Sequence, residues 1–273
     1  MCSLCIRIVT ALFLVLPVAG AEMPIRILRI TADPNNLPFS NDRLEGFENK
    51  IARLLADELK ATIQYQWRAQ RRGFFRESLK RGDADLVLGV PTQSGMALTT
   101  APYYRSTYVF VSRKDRNLQL ASFGDPRLCR LKVGVQLVGS DGMDTPPAHA
   151  LAERGAIDNV RGFTLFGDYG HPNPPARIID AVVDGGVDVA IVWGPLAGFF
   201  ANRSKVALDL APVTPQVDGA LQFAFDISLG VTRANSLLKD QLNEVLVKRR
   251  AEIDRILDQY NIPRVERPLK SSS

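Results

Sequence analysis

In the first part of the chain, the spacing of apolar side chains changes from the alternation of a strand to the period of a helix. Residues 25–31 alternate apolar and charged side chains, as a half-covered strand does, and turn-forming residues at 33–38 end this pattern. After Gly46 the period becomes helical, with apolar side chains at Phe47, Ile51, Leu54, Leu55 and Leu59. The pattern therefore predicts a strand, a loop and a core-facing helix.

The same order of strand and helix continues from there. Residues 63–67 predict a second strand, and 74–80 a helix that ends at Gly82. Residues 84–90 form a nearly continuous apolar run, which is typical of a parallel strand covered on both faces. These elements predict an α/β lobe.

A second set of elements follows the same order. Strands are predicted at 132–136 and 160–166, with a helix between them that begins at Thr145. The helix at 176–183 and the apolar strand at 187–192 are joined by glycines, as in the first set. We therefore expect a second, similar α/β lobe.

Extended stretches at 106–112 and 223–231 lie between the two sets, so we expect the chain to cross between the lobes twice and to leave a cleft. The predicted fold class is α/β, with two lobes and two interlobe crossovers. We place a signal peptide at 1–21, the first lobe at 22–110 and 226–262, the second at 111–225, and a loose polar tail at 263–273. One or two helices between Asn235 and Tyr260 pack on the first lobe.

The first residues predict export. Arg7 precedes an apolar run at 8–16, and residues 19–21 (AGA) offer a small-residue cleavage site. The apolar run is much shorter than the roughly 20 residues of a membrane span, and Cys2 and Cys5 precede it. We expect a periplasmic monomer released by signal cleavage, with neither a membrane span nor a lipid anchor.

Composition excludes several classes of function. The chain has a net charge of +5, and its basic residues are scattered, whereas nucleic-acid binding favours one basic face. Cys129 would be the only mature cysteine, which excludes an intrachain disulfide. His149 and His171 are the only histidines and no catalytic motif is recognisable, so we expect neither a metal site nor a catalytic residue, and no enzyme.

Candidate binding residues lie in loops after strands and at helix starts, where open α/β sheets bind ligands. Turn geometry alone also explains the prolines and glycines of these loops, and Trp193 also suits a core position. For a ligand- or partner-binding cleft we select Asp33, Asn35, Asn36, Arg71, Arg72, Tyr103, Tyr104, Gln136, Thr145, Asp168, Tyr169 and Trp193.

Several motifs together carry a family resemblance that spans nearly the whole chain. They are ADPNNLPFS at 32–40, GFENK at 46–50, QRRGF at 70–74, PYYRSTYVF at 102–110, TPPAHAL at 145–151, GDY at 167–169, PNPPAR at 172–177 and VWGP at 192–195. The chain resembles type II periplasmic solute-binding proteins, and within them the J-type (MxaJ/XoxJ-like) accessory proteins of methanol dehydrogenase systems.

The resemblance implies a non-enzymatic accessory role toward a dehydrogenase that depends on pyrroloquinoline quinone (PQQ), in assembly, cofactor loading or activation. PQQ would belong to that partner enzyme, and no cofactor would be bound permanently here. Amino-acid-binding relatives usually carry an arginine that clamps the ligand carboxylate, but residues 92–98 (TQSGMAL) hold none. They also place an aspartate after the last buried strand, where this chain has WGP at 193–195.

Two alternatives remain open. The protein is a transport or sensing component that closes around an unidentified small solute, or it is an enzyme on the same fold, such as a periplasmic dehydratase. Turnover or a co-purified ligand would separate these functions.

Overall fold

A computed structural model describes residues 26–71, 73–92, 95, 97–138 and 143–266. The predicted signal peptide and the candidate residue Arg72 lie outside the described residues. In the described part of the chain, no helix is both long enough and apolar enough to cross a membrane.

The first part of the described chain contains six strands and two helices. In chain order they are β1 (Arg26–Ala32), β2 (Asn35–Asn36), β3 (Ser40–Asn41), α1 (Phe47–Glu58), β4 (Ala61–Trp67), α2 (Phe74–Lys80), β5 (Leu86–Pro91) and β6 (Leu98–Thr99). The apolar stripe of α1 is buried, as its spacing predicts. At its start, the Asn49 side chain accepts the backbone N–H groups of Gly46 and Asn41, each at 3.1 Å.

The middle of the chain contains eight strands and three helices. They are β7 (Tyr104–Arg113), β8 (Val133–Val138), β9 (Met143–Asp144), α3 (Pro146–Glu153), β10 (Val160–Thr164), α4 (Arg177–Val183), β11 (Val189–Trp193), α5 (Gly194–Ala201), β12 (Leu208–Pro212), β13 (Val217–Asp218) and β14 (Leu221–Gln222). Short 3-10 turns lie at Lys114–Arg116, Pro126–Cys129 and Pro174–Ala176. The chain then returns through β15 (Ala224–Val231), α6 (Ser236–Lys248) and α7 (Arg250–Gln259).

The main sheet runs in the order β10-β8-β11-β7-β15-β5-β1-β4. In the first lobe β1 is parallel to β4 and β5, and in the second lobe β8 is parallel to β10 and β11. The long strands β7 and β15 correspond to the two predicted crossovers and pair antiparallel with each other from Tyr104 to Thr107. Because β7 then continues into the second lobe beside β11, one hydrogen-bond ladder connects the two lobes. The predicted two-lobed α/β fold is confirmed.

Separate groups of buried side chains stabilise the two lobes. In the first lobe, α1, α6 and α7 pack on the sheet through residues such as Leu55, Leu242 and Leu257, all fully buried. In the second lobe, apolar residues cover both faces of β8 and β11. Burial on both faces explains the near-continuous apolar run of β11.

The C-terminal segment connects the lobes on the side of the crossovers. The sequence predicts a loose tail from Pro263, but the described part of it is held by hydrogen bonds. Ser106 Oγ donates to the Pro263 carbonyl at 2.6 Å, and the Val265 N–H donates to the Arg105 carbonyl at 3.2 Å. These backbone groups find partners on β7, which a composition-based prediction could not anticipate.

Helix α5 of the second lobe packs against the same C-terminal region. The rings of Phe199 and Tyr260 stack with centroids 5.6 Å apart. A side chain at Gly198 would place its Cβ 2.0 Å from the Asn261 carbonyl oxygen, so only glycine permits this close approach.

Candidate functional site

A cavity of about 500 Å³ lies between the lobes. This volume falls in the range of roughly 300–1,000 Å³ that is usual for small-molecule sites. Its described walls come from both lobes and from the crossover strands. They include Phe39, Glu48, Gln70, Arg71, Phe74, Phe75 and Gly89 of the first lobe, Tyr104, Tyr108, Phe225 and Ile227 of β7 and β15, and Gln136, Phe166, Trp193 and Leu196 of the second lobe.

Trp193 lies at the centre of a group of aromatic rings on the second-lobe side of the cavity. It ends β11, and the Gly194-Pro195 step that follows starts α5, so the indole lies at the carboxyl end of this strand. Its ring lies 5.4 Å from Tyr108 and 6.0 Å from Phe225, both edge-on. A side-chain hydrogen bond joins it to Tyr104, in which the indole N–H donates to the phenol oxygen.

Glu48 brings a carboxyl group into this apolar wall. It lies in the first turn of α1, is only partly exposed, and is hydrogen-bonded to the Tyr103 hydroxyl. The Gly89 N–H donates to that hydroxyl oxygen at 3.2 Å. Burial raises the pKa of Glu48 from 4.5 to about 8, although the Tyr103 hydrogen bond opposes the shift. The carboxyl is therefore mostly protonated at neutral pH.

Gly89 makes this arrangement possible. Its φ of 74° lies in the left-handed region, and a Cβ there would be 2.7 Å from Glu48 Oε1. The tyrosines around Glu48 are buried: the pKa values of Tyr103 and Tyr104 are both raised well above 10, first by burial and then by the charge of Glu48.

Hydrogen bonds across the cleft hold the lobes together at the cavity mouth. The Asn35 side-chain amide donates to the Asp168 carbonyl at 3.0 Å and to the His171 carbonyl at 2.8 Å. Arg71 donates to the Gly167 carbonyl at 2.9 Å. Gly167 has a φ of 74°, and a Cβ at this position would lie 2.4 Å from Arg71 Nε.

Asp33 fixes the loop that carries Asn35. Its carboxylate accepts the Asn35 N–H at 2.9 Å and the Gln70 N–H at 2.6 Å. Asn36 donates to Gln70 Oε1 at 2.6 Å, so the loops at 33–36 and 68–71 are tied together. Burial raises the pKa of Asp33, and these backbone hydrogen bonds oppose the shift.

Asp168 and Tyr169 lie on the rim in the second lobe. The pKa of Asp168 is lowered, chiefly by its hydrogen bond with His171, and Arg177 Nη1 is 3.6 Å from the carboxylate. Tyr169 is 54% exposed.

The structure places the sequence-selected residues in three settings. The cavity wall contains Arg71, Tyr104, Gln136 and Trp193. The mouth contains Asn35, Asp168 and Tyr169. Buried supporting positions are taken by Asp33, Asn36, Tyr103 and Thr145, whose hydroxyl donates to the Gln136 carbonyl at 2.9 Å.

Comparison with known proteins assigns the family. Residues 28–262 match the family described as bacterial extracellular solute-binding proteins, family 3. The chain belongs to this family.

Two curated relatives and one solved structure place this solute-binding protein more narrowly. It is 31% identical to protein MoxJ of Paracoccus denitrificans over 86% of this chain and 88% of that protein. It is 29% identical to protein MoxJ of Methylorubrum extorquens over 83% and 78%. The periplasmic binding protein XoxJ of Methylobacterium extorquens AM1 is 35% identical, with a TM-score of 0.70 over 88% of this chain and 100% of that chain. The MxaJ/XoxJ-like resemblance is confirmed.

Residues 92–98 of this solute-binding protein form the segment that lacks the arginine with which amino-acid-binding proteins clamp a ligand carboxylate. Among its described residues, Thr92 forms hydrogen bonds to β15 through its hydroxyl. The hydroxyl is 3.1 Å from the Asp226 carbonyl oxygen and 2.6 Å from Ser228 Oγ. Gln93, Ser94 and Met96 lie outside the described residues.

Sequence reasoning missed Glu48 and most of the aromatic wall. The missed rings are Phe39, Phe74, Phe75, Tyr108, Phe166 and Phe225. One signal for Glu48 was present: Ala52 and Leu55, four and seven residues later, are on the same side of α1 and are buried. A carboxylate in that row was a candidate for burial.

Proposed function

We propose that this protein is a non-enzymatic periplasmic accessory protein that assists the assembly, cofactor loading or activation of a PQQ-dependent methanol dehydrogenase. The observation that carries the proposal is the similarity to MoxJ proteins and to XoxJ over more than four-fifths of the chain. It agrees with the J-type motifs of the sequence.

The cavity wall supports a role other than amino-acid capture. Eight of the described side chains that line the cavity are aromatic. Arg71 is the one cationic side chain in this described lining. Arg71 already donates to the Gly167 carbonyl. A free amino acid needs a cationic partner for its carboxylate, since burying an unpaired charge is costly.

PQQ itself fits this described wall poorly. The cofactor carries three carboxylates, whereas the described wall offers one cationic side chain, Arg71, which already donates to the Gly167 carbonyl, beside aromatic rings and a protonated Glu48. A role in cofactor loading would thus act through the partner enzyme, and PQQ remains the cofactor of that enzyme.

A non-catalytic role is consistent with the side chains of the wall. The described lining contains no histidine, cysteine, serine, threonine or lysine, so it lacks the usual nucleophile and base pairs. His171 and Asp168, which interact at 3.1 Å, lie at the rim.

The test is to produce the methanol dehydrogenase with and without this protein, then measure enzyme abundance and bound quinone. Normal abundance with missing quinone indicates cofactor loading, and low abundance indicates assembly. Normal amounts of active, quinone-loaded enzyme in the absence of this protein would refute the accessory function.

The cavity volume favours a second candidate, a solute-binding component for transport or sensing. The contacts of Asn35 and Arg71 across the mouth suit a cleft that closes over a ligand. Native mass spectrometry of the purified protein tests this function, since a tightly held solute would be retained.

A further inference from the structure

We propose that the interlobe cavity is a binding site for an uncharged, planar aromatic molecule whose hydrogen-bond acceptor pairs with the Glu48 carboxyl group. This inference concerns the purified protein alone and does not depend on a dehydrogenase partner.

The arrangement of rings indicates the ligand's shape. Phe39, Phe74 and Phe75 approach from the first lobe, Trp193 from the second, and Phe225 from a crossover strand. The cavity therefore offers a flat apolar molecule ring surfaces from both lobes and from a crossover strand, and stacked or edge-on ring pairs gain energy beyond their buried area. The cavity volume of about 500 Å³ suits two or three fused rings.

The position of Glu48 supplies the polar anchor. Its carboxyl contacts the cavity, is hydrogen-bonded to Tyr103, and is accommodated by the missing side chain at Gly89. Burial holds the group in its protonated form at neutral pH, so its O–H can donate a hydrogen bond to a carbonyl oxygen or a ring nitrogen. A protonated carboxyl in an apolar wall favours a neutral acceptor over a carboxylate.

The charges around the cavity agree with an uncharged ligand. Arg71 is held at the mouth by the Gly167 carbonyl. The ionisable groups of described residues that interact with Glu48 are Tyr65 on β4, Tyr103 before β7, and Tyr104 on β7. Burial raises the pKa of each tyrosine, so Glu48 is the group that titrates near pH 8 in this cluster.

Binding is measured with a neutral naphthyl ketone, 6-propionyl-2-(dimethylamino)naphthalene, whose fluorescence responds to its surroundings. The chain has two tryptophans, and Trp67 is 38% exposed on β4, away from the described cavity wall. A Trp67→Phe background therefore leaves Trp193 as the reporter, and its quenching locates the probe in the cavity.

The expected signature is a pH-dependent affinity. If the probe binds only the protonated carboxyl with a pKa of about 8, its dissociation constant rises about tenfold between pH 6 and pH 9. Glu48→Gln keeps a neutral donor and should bind with no such pH dependence. Glu48→Leu removes the donor and should bind about three- to tenfold more weakly at pH 6. Glu153→Gln, at an exposed carboxylate on α3, is the matched control and should behave as the parent protein.

Charged probes provide the opposing outcomes. The matching naphthoic acid and PQQ should bind at least tenfold more weakly than the ketone at pH 7. Tighter binding of either anion than of the ketone would overturn the proposal. Tighter binding of a naphthylmethylammonium, with an affinity that increases with pH, would also overturn it. So would the absence of ketone binding to parent protein that has a normal circular dichroism spectrum. These outcomes are independent of the dehydrogenase co-production assay, so the two proposals fail separately.

Discussion

Between pH 4.5 and about 8, the titration of the Glu48 carboxyl should dominate the pH dependence of the free energy of unfolding. Below pH 4.5 the carboxyl is protonated in both the folded and the unfolded chain. Between pH 4.5 and about 8 the folded state retains the proton while the unfolded state releases it, so the free energy of unfolding falls as pH rises. Above pH 8 both states are ionised and this contribution becomes constant.

The magnitude follows from the two pKa values. Each pH unit in this interval lowers the free energy of unfolding by about 1.4 kcal/mol. The full interval from 4.5 to about 8 therefore lowers it by roughly 5 kcal/mol. That is a large fraction of the 5–15 kcal/mol that usually separates folded from unfolded states. Glu48→Gln removes the titration, and its stability relative to the parent should increase by about 3 kcal/mol between pH 5 and pH 7.

The assay is urea unfolding at half-unit steps from pH 4 to pH 9, followed by circular dichroism. Other titrating groups are common to both proteins, so the difference between parent and Glu48→Gln isolates this carboxyl. Glu153→Gln controls for the loss of an exposed carboxylate. A difference that stays constant from pH 5 to pH 8 would show that folding leaves the Glu48 pKa unshifted, and the reasoning would be wrong.

Three further outcomes are expected. Asn35→Ala removes two hydrogen bonds to the 168–171 loop, worth about 0.5–1.5 kcal/mol each, and should increase the radius of gyration in X-ray scattering; an unchanged radius would contradict the closure role. Gly46→Ala places a Cβ 2.0 Å from the Phe39 carbonyl oxygen and should lower the free energy of unfolding by about 1–3 kcal/mol, whereas Gly124→Ala, with no atom nearer than 3.6 Å, should change it by less than about 0.5 kcal/mol. Sub-millimolar free amino acids should leave the melting temperature unchanged, since a ligand at 100 times its dissociation constant would add about 2.7 kcal/mol.

Local spacing in the sequence determined the elements and their order. The helix predicted at 74–80 has those bounds in the structure, and the predicted crossovers at 106–112 and 223–231 correspond to β7 and β15. Such patterns are readable because the period of buried side chains depends on residues a few positions apart. The apolar runs of β5 and β11 also indicated burial on both faces, which leads directly to two α/β lobes.

Only the tertiary structure decided which of the loop residues meet. Asp33 and Asn36 follow a strand, as ligand-binding residues often do, yet their side chains are used to join two loops of the first lobe. Thr145 begins a helix as predicted, but its hydroxyl donates to the Gln136 carbonyl. Hydrogen-bond partners distant in sequence redirect such side chains, and no local pattern encodes the partner.

Glu48 shows the same limit most clearly. The sequence determined its place in the first turn of a helix, where a carboxylate is ordinarily solvated and ionised. The shift of its pKa to about 8 comes from burial, and the groups next to its carboxyl include Gly89 of β5 and Tyr103 before β7, which lie about 40 and 55 residues further along the chain. Helix formation depends on near neighbours, whereas desolvation depends on every group that packs around the carboxyl, so the protonation of this site was decided by the fold.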